Sequence, residues 1–240
     1  MSILSEDFNL KKLSHRRSVR EWIQNKVDAL NKIVYDKNYE ISKLSSIYFN
    51  KLKSAKRVCI VGNGPVNKNI THLLDKFDVI IRFNNYSKDT DSKLVGSRTE
   101  VQFMCLQCAN QDHWITNADC IIAFEIHREK LFKKISDLLK QRAIVPPMDY
   151  VKNMKKISDM TRGFYAIASC LQVQEKINKD LKIYIIGFGG KGHHFDKNVK
   201  ISHFHDEEKH IIKQLKKQER LIDLKDIDTD TDADVENKIF

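Results

Sequence analysis

The sequence has few residues that cross-link a chain or interrupt its helices and strands: it has five cysteines, three prolines and eight glycines among 240 residues. A small, odd number of cysteines disfavours a disulfide-stapled scaffold and favours reduced thiols. No apolar run approaches the roughly 18 residues that a membrane-spanning helix needs. The first residues, MSILSEDFNLKKLSHRR, lack the apolar region of a signal peptide. We therefore expect a cytoplasmic protein with little room for flexible linkers.

Positive charge exceeds negative charge. Lys and Arg number 42 against 32 Asp and Glu, which leaves a formal net charge of +10 at pH 7. A basic surface suits anionic partners such as nucleotides, nucleic acid or an acidic membrane face. Hydrophobic residues make up 41% of the chain, which is enough to bury a sizeable core and to exclude disorder throughout.

Three segments differ in pattern. Residues 1–54 are predicted to form a basic helical segment, because apolar residues recur at three- and four-residue steps over about 18–53. We interpret it as one or two helices packed on the main domain; a dimerisation helix and a basic helix resting on anionic lipid are the alternatives. Residues 55–224 form the main domain. Residues 225–240 are rich in Asp without an apolar period and are expected to be flexible.

The main domain alternates short apolar strands with helices. Strands are predicted over 58–61, 77–83, 101–104, 120–124 and 181–186, and helices over 163–176 and 207–224. This alternation predicts an α/β fold of the Rossmann-like kind, with a mostly parallel sheet covered by helices on both faces.

A glycine turn follows the first strand. Gly62 and Gly64 allow close approach of the backbone to a ligand, and a helix starting nearby would offer free N–H groups to a phosphate. Asn63 and Asn84 follow two strands that we expect to lie side by side. The pattern is a poor dinucleotide fingerprint, because Asn67 stands where a third glycine belongs. Glycines that serve turn geometry alone remain an alternative.

Four of the nine histidines in the chain fall within thirteen residues after the last predicted strand. They are His193, His194, His203 and His205. Zinc binding is one reading, but adjacent histidines lack the spacing of a helical zinc pair, and Cys105 with Cys108 forms a lone CxxC. Surface-loop histidines are a second reading. General acid–base catalysis is the third, because histidine titrates near neutral pH.

These pieces resemble the sialyltransferases of glycosyltransferase family 29, with echoes of the bacterial family 42 enzymes. The resemblance covers residues 57 to about 215. RVCIVGNGPVNKNITHLLDKFDVIIRFNN with DSKLVGSRTEVQFM looks like the large sialyl motif, and TRGFYAIASCLQVQEKINKDLKIYIIGFGG is similar to the small one. HHFD at 193–196 looks like the third motif. His203 and Glu208, with four residues between them, resemble the very small motif.

The resemblance implies a GT-A-like variant of the Rossmann-like fold and an inverting transferase that uses a CMP-activated acidic sugar. It implies His203 as general base, Glu208 as its orienting carboxylate, and His194 as a donor to the departing phosphate. The donor-binding residues that it implies are Gly62, Asn63, Gly64, Asn84, Thr161, Gly163 and His193. A glycan is the implied acceptor, and bacterial polysaccharide biosynthesis the implied setting. Neither a metal nor another cofactor is expected.

The chain departs from the family at three positions. The disulfide that usually joins the large and small motifs would require cysteines where Val58 and Gln174 stand. Arg162 replaces a hydroxyl residue of the small motif, which leaves the donor sugar open. The alternatives are therefore a transferase of CMP-Kdo or another CMP-nonulosonate. From another class, the alternative is a non-catalytic nucleotide- or nucleic-acid-binding module, although no recognisable nucleic-acid motif is present and no nucleic-acid partner is expected. Peripheral contact with an anionic membrane is left open.

Overall fold

The structure is a computed structural model that describes residues 46–83, 92–105, 118–124, 143–144, 161–188 and 205–227. The helices of these residues are α1 (Ser46–Ser54), α2 (Thr71–Leu74), α3 (Ser92–Val95), α4 (Arg162–Lys176) and α5 (His205–Lys217). The strands are β1 (Arg57–Val61), β2 (Val79–Phe83), β3 (Val101–Cys105), β4 (Cys120–Phe124), β5 (Ala143–Ile144), β6 (Lys182–Ile186) and β7 (Ile222–Asp223). A short 3₁₀ helix spans Leu224–Asp226.

The strands form one seven-stranded sheet in the order β5-β4-β3-β2-β1-β6-β7. Each of its pairings is parallel, which confirms the predicted Rossmann-like sheet. Strand β1 lies between β2 and β6, so the order of strands reverses there. The carboxyl ends of β1 and β6 therefore border the crevice where open α/β sheets bind ligands.

Helices cover both faces of the sheet. Successive residues of a strand point to opposite faces, so each strand contributes side chains to two cores. Val58 and Ile60 of β1 enter a core that includes apolar residues of α1, α4 and α5. Cys59 and Val61 enter a second core with residues of α2 and of the 3₁₀ helix. Both faces of the central strand are thus fully buried, and its continuous apolar run is explained.

Helix α4 is the centre of the first core. From Gly163 to Val173 every residue except Tyr165 is buried. The helix begins after Thr161, whose hydroxyl oxygen accepts a hydrogen bond from the backbone N–H of Phe164 at 3.3 Å. Such a cap satisfies one of the free N–H groups of the first turn. The first turn of α4 is thereby fixed at the carboxyl edge of the sheet.

Helix α1 belongs to the segment that we expected to be helical, and its described residues pack on the main domain. Tyr48 and Leu52 are completely buried in the first core. The hydroxyl of Tyr48 lies 2.5 Å from Oγ of Ser169 in α4. Residues 1–45 lie outside the described residues. None of the described helices is long and apolar enough to span a membrane.

The helix predicted over 207–224 is wrong at its C-terminal end. Helix α5 ends at Lys217, and the chain turns at Glu219, which has a φ of 57°. The chain then adds β7 to the edge of the sheet beside β6. Lys216 Nζ lies 3.0 Å from Asp223 Oδ2 and 2.5 Å from Asp226 Oδ2, and these contacts hold the new strand against the helix. Of the expected tail, residues 225–227 are described, and Ile227 is buried.

Candidate functional site

The turns after β1 and β6 are joined backbone to backbone. The N–H of Gly62 donates to the carbonyl of Ile186 at 2.7 Å, and the N–H of Gly64 donates to the carbonyl of Gly187 at 2.8 Å. A Cβ on Gly62 would lie 2.5 Å from the oxygen of Gly187, and Gly187 itself has a φ of +73°. The two turns thus need glycine for their own packing. The role of Gly62 and Gly64 toward a donor remains a prediction.

Asn63 links the β1 turn to the next strand. Its Nδ2 donates to the backbone carbonyl of Phe83, the last residue of β2, at 3.3 Å. This contact confirms that the ends of β1 and β2 lie side by side. Among the described residues, no donor bonds to Oδ1 of Asn63, which is partly exposed. The carboxamide is therefore held by one contact and keeps an acceptor for a ligand. Asn84 lies outside the described residues.

Phe188 fills the space between the sheet and α4, a role that the sequence interpretation missed. Its ring packs edge-on against Phe83, with the centroids 6.4 Å apart. A Cβ on Gly163 would lie 2.7 Å from Cε1 of the same ring. Gly163 is therefore required so that the first turn of α4 can approach Phe188. The position of Phe188 directly after Gly187 at a strand end was the one available signal.

Glu208 and Thr161, predicted to serve different purposes, are bound to each other. The backbone N–H of Thr161 donates to Oε1 of Glu208, and its hydroxyl donates to Oε2 at 2.8 Å. Glu208 is only 5% exposed. A carboxylate at the amino end of α4 is also favoured by the helix dipole. The pair joins the first turns of α4 and α5.

The histidines predicted to act in catalysis lie outside the described residues. They are His193, His194 and His203, and they belong to the connection 189–204. Both neighbours of that connection are described: Phe188 contacts Gly163, and α5 begins at His205 and carries Glu208. The chain thus leaves from and returns to the edge that carries Asn63 and Thr161. The predicted roles of these histidines remain predictions.

Two arginines of the large-motif resemblance have structural partners. Arg82 is 1% exposed, and it donates to the carbonyls of Val95 at 2.5 Å and Arg98 at 2.9 Å. Arg98 in turn donates to Oε1 of Glu100 at 2.8 Å. These contacts hold the chain that follows α3 against β2. Both guanidinium groups are bound within the protein, so neither is assigned to the donor.

Arg162, the residue that departs from the family pattern, is the first residue of α4. Its Nε is buried, and within the described part of the chain it has no hydrogen-bond partner. A buried guanidinium nitrogen without an acceptor is costly.

The thiols described are free, and two of them lie on opposite faces of the sheet. Cys59 belongs to the second core and Cys170 to the first. Burial raises the pKa of each thiol to about 12. Val58 faces the same core as α4, while Nε2 of Gln174 donates to the carbonyl of Leu181 at 2.6 Å. Cys59 and Cys170 are therefore unable to replace the missing disulfide.

Metal ligation was an alternative for the cysteine and histidine clusters. In the described ranges, no three His, Cys, Asp or Glu side chains are grouped so as to hold a metal ion. Cys105 ends β3, and Cys108 lies outside these ranges. The expectation that the protein needs no metal or cofactor remains a prediction.

Solved structures similar to this chain include sialyltransferases. A mammalian sialyltransferase in complex with Gal-beta-1-3GalNAc-ortho-nitrophenol matches with a TM-score of 0.55 and 13% identity, over 93% of this chain and 91% of that one. A second mammalian sialyltransferase structure matches with a TM-score of 0.50 and 14% identity, over 89% and 87%. The chain has the sialyltransferase fold.

A third solved structure superposes less well on this chain. The sialyltransferase CstII from Campylobacter jejuni, in complex with the substrate analogue cytidine-5'-monophosphate, has a TM-score of 0.43 and 19% identity, over 70% of this chain and 79% of that one. By sequence, no family model matches the chain and no curated protein matches it. The likeness to the two mammalian structures therefore rests on the arrangement of the secondary-structure elements.

Proposed function

We propose that the protein is an inverting, metal-independent glycosyltransferase that moves sialic acid or a related acidic sugar from a CMP-activated donor to a glycan. One observation carries the proposal: in a sialyltransferase fold, the turns after β1 and β6 border the crevice at the reversal of strand order. The motif resemblance assigns donor recognition to Gly62, Asn63 and Gly64, which form the β1 turn.

The donor would lie along the carboxyl edge of the sheet. Nδ2 of Asn63 donates to the end of β2. Its Oδ1 accepts no hydrogen bond from the described residues, so it suits an N–H or hydroxyl donor on the base or ribose. The first turn of α4, with Gly163, lies at the same edge, and its amino end already binds the carboxylate of Glu208. Asn84 and His193 complete the proposed set.

The proposed reaction is a single displacement at the anomeric carbon. His203 takes the proton of the acceptor hydroxyl as its oxygen forms the new glycosidic bond. The bond from the anomeric carbon to the phosphate oxygen breaks, and CMP leaves with the electron pair. General base catalysis of this kind contributes about 10²–10⁴-fold. The opposite face is attacked, so the anomeric configuration inverts.

The departing CMP carries one phosphate, so less charge has to be stabilised than for a nucleoside diphosphate. His194 would donate a hydrogen bond to that phosphate, as a fixed donor to developing charge does. Nε of Arg162 is buried and has no partner among the described residues, and in this proposal Arg162 contacts an anionic group of the donor. Glu208 is held by Thr161, and we propose that it sets the position of α5, and through it of His203, rather than polarising the histidine alone.

The acceptor would be a saccharide, as in the mammalian neighbour whose structure holds Gal-beta-1-3GalNAc-ortho-nitrophenol. The reduced thiols and the absent family disulfide favour a cytoplasmic setting. A bacterial polysaccharide pathway is the setting that the resemblance implies, and peripheral contact with an anionic membrane stays open. Because Arg162 departs from the family, CMP-Kdo and other CMP-nonulosonates are the second donor class.

The test is acceptor-dependent release of CMP from CMP-N-acetylneuraminic acid and from CMP-Kdo, with and without EDTA. We expect release from one of the two donors, unaffected by the chelator, and a product of inverted anomeric configuration by NMR. Loss of activity on chelation would overturn metal independence. Strongly salt-dependent nucleic-acid binding without CMP binding would instead favour the non-catalytic module.

A further inference from the structure

A basic recess lies at the opposite edge of the sheet from the proposed donor site. It has a volume of about 380 Å³. Its lining comes from the end of α1, the start of β1 and the chain that enters β6: Lys53, Ser54, Ala55, Lys56, Arg57, Asn178, Asp180 and Lys182. Strand β1 separates the two edges by roughly 16 Å at about 3.3 Å per residue. The recess is therefore distinct from the crevice at the carboxyl edge.

Four of the lining side chains are cationic and one is a carboxylate. Lys53, Lys56 and Lys182 are exposed. Among the described residues, no carboxylate lies within ion-pairing distance of their ammonium groups, although Asp180 shares the lining. Like charges gathered in a recess repel one another, and a bound anion would offset that repulsion.

The backbone N–H groups of Lys56 and Arg57 are not available to an anion, because both donate to Oδ2 of Asp78 at 2.8 Å. Helix α1 ends here, and the carbonyls at a helix C-terminus carry partial negative charge. Nδ2 of Asn178 donates to three of these carbonyl groups: those of Leu52 at 3.2 Å, Lys53 at 3.2 Å and Ala55 at 2.6 Å. Asn178 thus binds the carbonyls at the helix end, and the side chains of three lysines, Arg57 and Asp180 determine the charge of the recess.

We propose that this recess binds a compact phosphorylated solute, of the size of a phosphate or diphosphate group. Lysine ammonium groups act as point charges that suit phosphate oxygens, and Arg57 adds a guanidinium. The volume falls at the small end of ligand sites. Residues of three elements line this concave recess, whereas a flat lipid surface would meet protruding side chains on one face. The proposal goes beyond the transferase activity and does not depend on it.

Calorimetric titration with pyrophosphate tests the proposal on the full chain, with CMP present in excess so that the carboxyl edge is occupied. We expect one pyrophosphate site in the wild type. The combined variant Lys53→Gln, Lys56→Gln and Lys182→Gln should weaken binding about tenfold or more, because charge-assisted hydrogen bonds are lost.

The matched control removes the same charge elsewhere. Lys93, Lys213 and Lys225 are exposed and lie outside the recess, so Lys93→Gln, Lys213→Gln and Lys225→Gln together should leave the pyrophosphate affinity unchanged. Equal weakening in both triple variants would overturn the site, because only overall charge would then matter. Sedimentation with phosphatidylglycerol vesicles tests whether the recess binds an anionic lipid surface instead of a soluble phosphate compound. Vesicle binding that needs the recess lysines, without pyrophosphate binding, would also overturn the proposal.

Discussion

The carboxylate of Glu208 accepts hydrogen bonds from both the backbone N–H and the hydroxyl of Thr161, and so fastens the start of α5 to the start of α4. The two residues are 47 positions apart in the chain. Thr161 also caps α4 by accepting from Phe164. One buried pair therefore sets the relative position of the two helices whose amino ends border the proposed site.

This pair predicts a stability difference between variants of Glu208. Glu208→Ala leaves the N–H and hydroxyl of Thr161 without their acceptor, and it should lower the free energy of unfolding by about 1–3 kcal/mol. Glu208→Gln keeps one carbonyl oxygen for the N–H and should cost less. Urea unfolding of both variants measures the effect. Equal stability of wild type and Glu208→Ala would mean that the contact does not join the helices.

The buried thiols predict resistance to alkylation. Burial raises the pKa of Cys59 and Cys170 from 9.0 to about 12, so at pH 8 their thiolate fraction falls about 10³-fold. Because the folded pKa is above the unfolded one, the associated stability is present below pH 9 and is lost as the pH rises toward 12. Mass spectrometry after iodoacetamide treatment should find both thiols unmodified in the folded protein and modified in urea.

The same thiols predict that reductant has no effect on stability. Cys59 and Cys170 lie on opposite faces of the sheet, so no bond between them forms in this fold. Thermal unfolding with and without dithiothreitol should give the same midpoint. A lower midpoint under reductant, abolished by Cys170→Ala, would contradict this arrangement.

Substitution of Arg162 is predicted to weaken the affinity for the CMP-sugar donor. If its guanidinium contacts an anionic group of the donor, Arg162→Ser should raise KM for the CMP-sugar about tenfold or more and change kcat less. Arg162→Lys should fall between, because it keeps the charge but not the planar fork. Arg57→Ser, at the opposite edge, is the control and should leave KM unchanged. An unchanged KM in Arg162→Ser would remove Arg162 from the donor site.

The end of α5 predicts a stabilising substitution. Glu219 adopts a φ of 57°, a conformation in which glycine carries no steric cost. Glu219→Gly should therefore raise the free energy of unfolding by roughly 0.5–1 kcal/mol. Lys213→Gly, at an exposed position inside the helix, should lower it by about 1 kcal/mol. Urea unfolding of the two variants measures both changes. Destabilisation by both substitutions would show that the left-handed turn at Glu219 does not form.

Much of the fold follows from local pattern in the sequence. Strand β1 and helix α4 were predicted nearly to their ends, because β1 is buried on both faces and α4 is buried almost throughout. Strands β5 and β7 were missed because each has two residues and is an edge strand. The end of α5 was missed because Glu219, not glycine, occupies the left-handed position.

The parts of the site that the order of parallel strands determines were predictable from the sequence. The parts that depend on contacts between helices and the sheet were not. Parallel pairing of β1 with β2 brings Asn63 to the end of β2, as expected. The ring of Phe188 against Gly163, and the bond of Glu208 to Thr161, depend on how α4 and α5 pack on the sheet. No local pattern encodes that packing, so Glu208 was paired with His203 through family spacing alone.

The central claim is tested most directly by acceptor-dependent CMP release at saturating donor, measured for the wild type, His203→Ala and His205→Ala. We predict that the wild type releases CMP, that His203→Ala lowers kcat by about 10²-fold or more with CMP affinity nearly unchanged, and that His205→Ala turns over normally. His205 is the first residue of α5, and it has His210, not a carboxylate, at the spacing that separates His203 from Glu208. No release by the wild type from either CMP-sugar would contradict the transferase assignment. An inactive His205→Ala beside a fully active His203→Ala would contradict the choice of base.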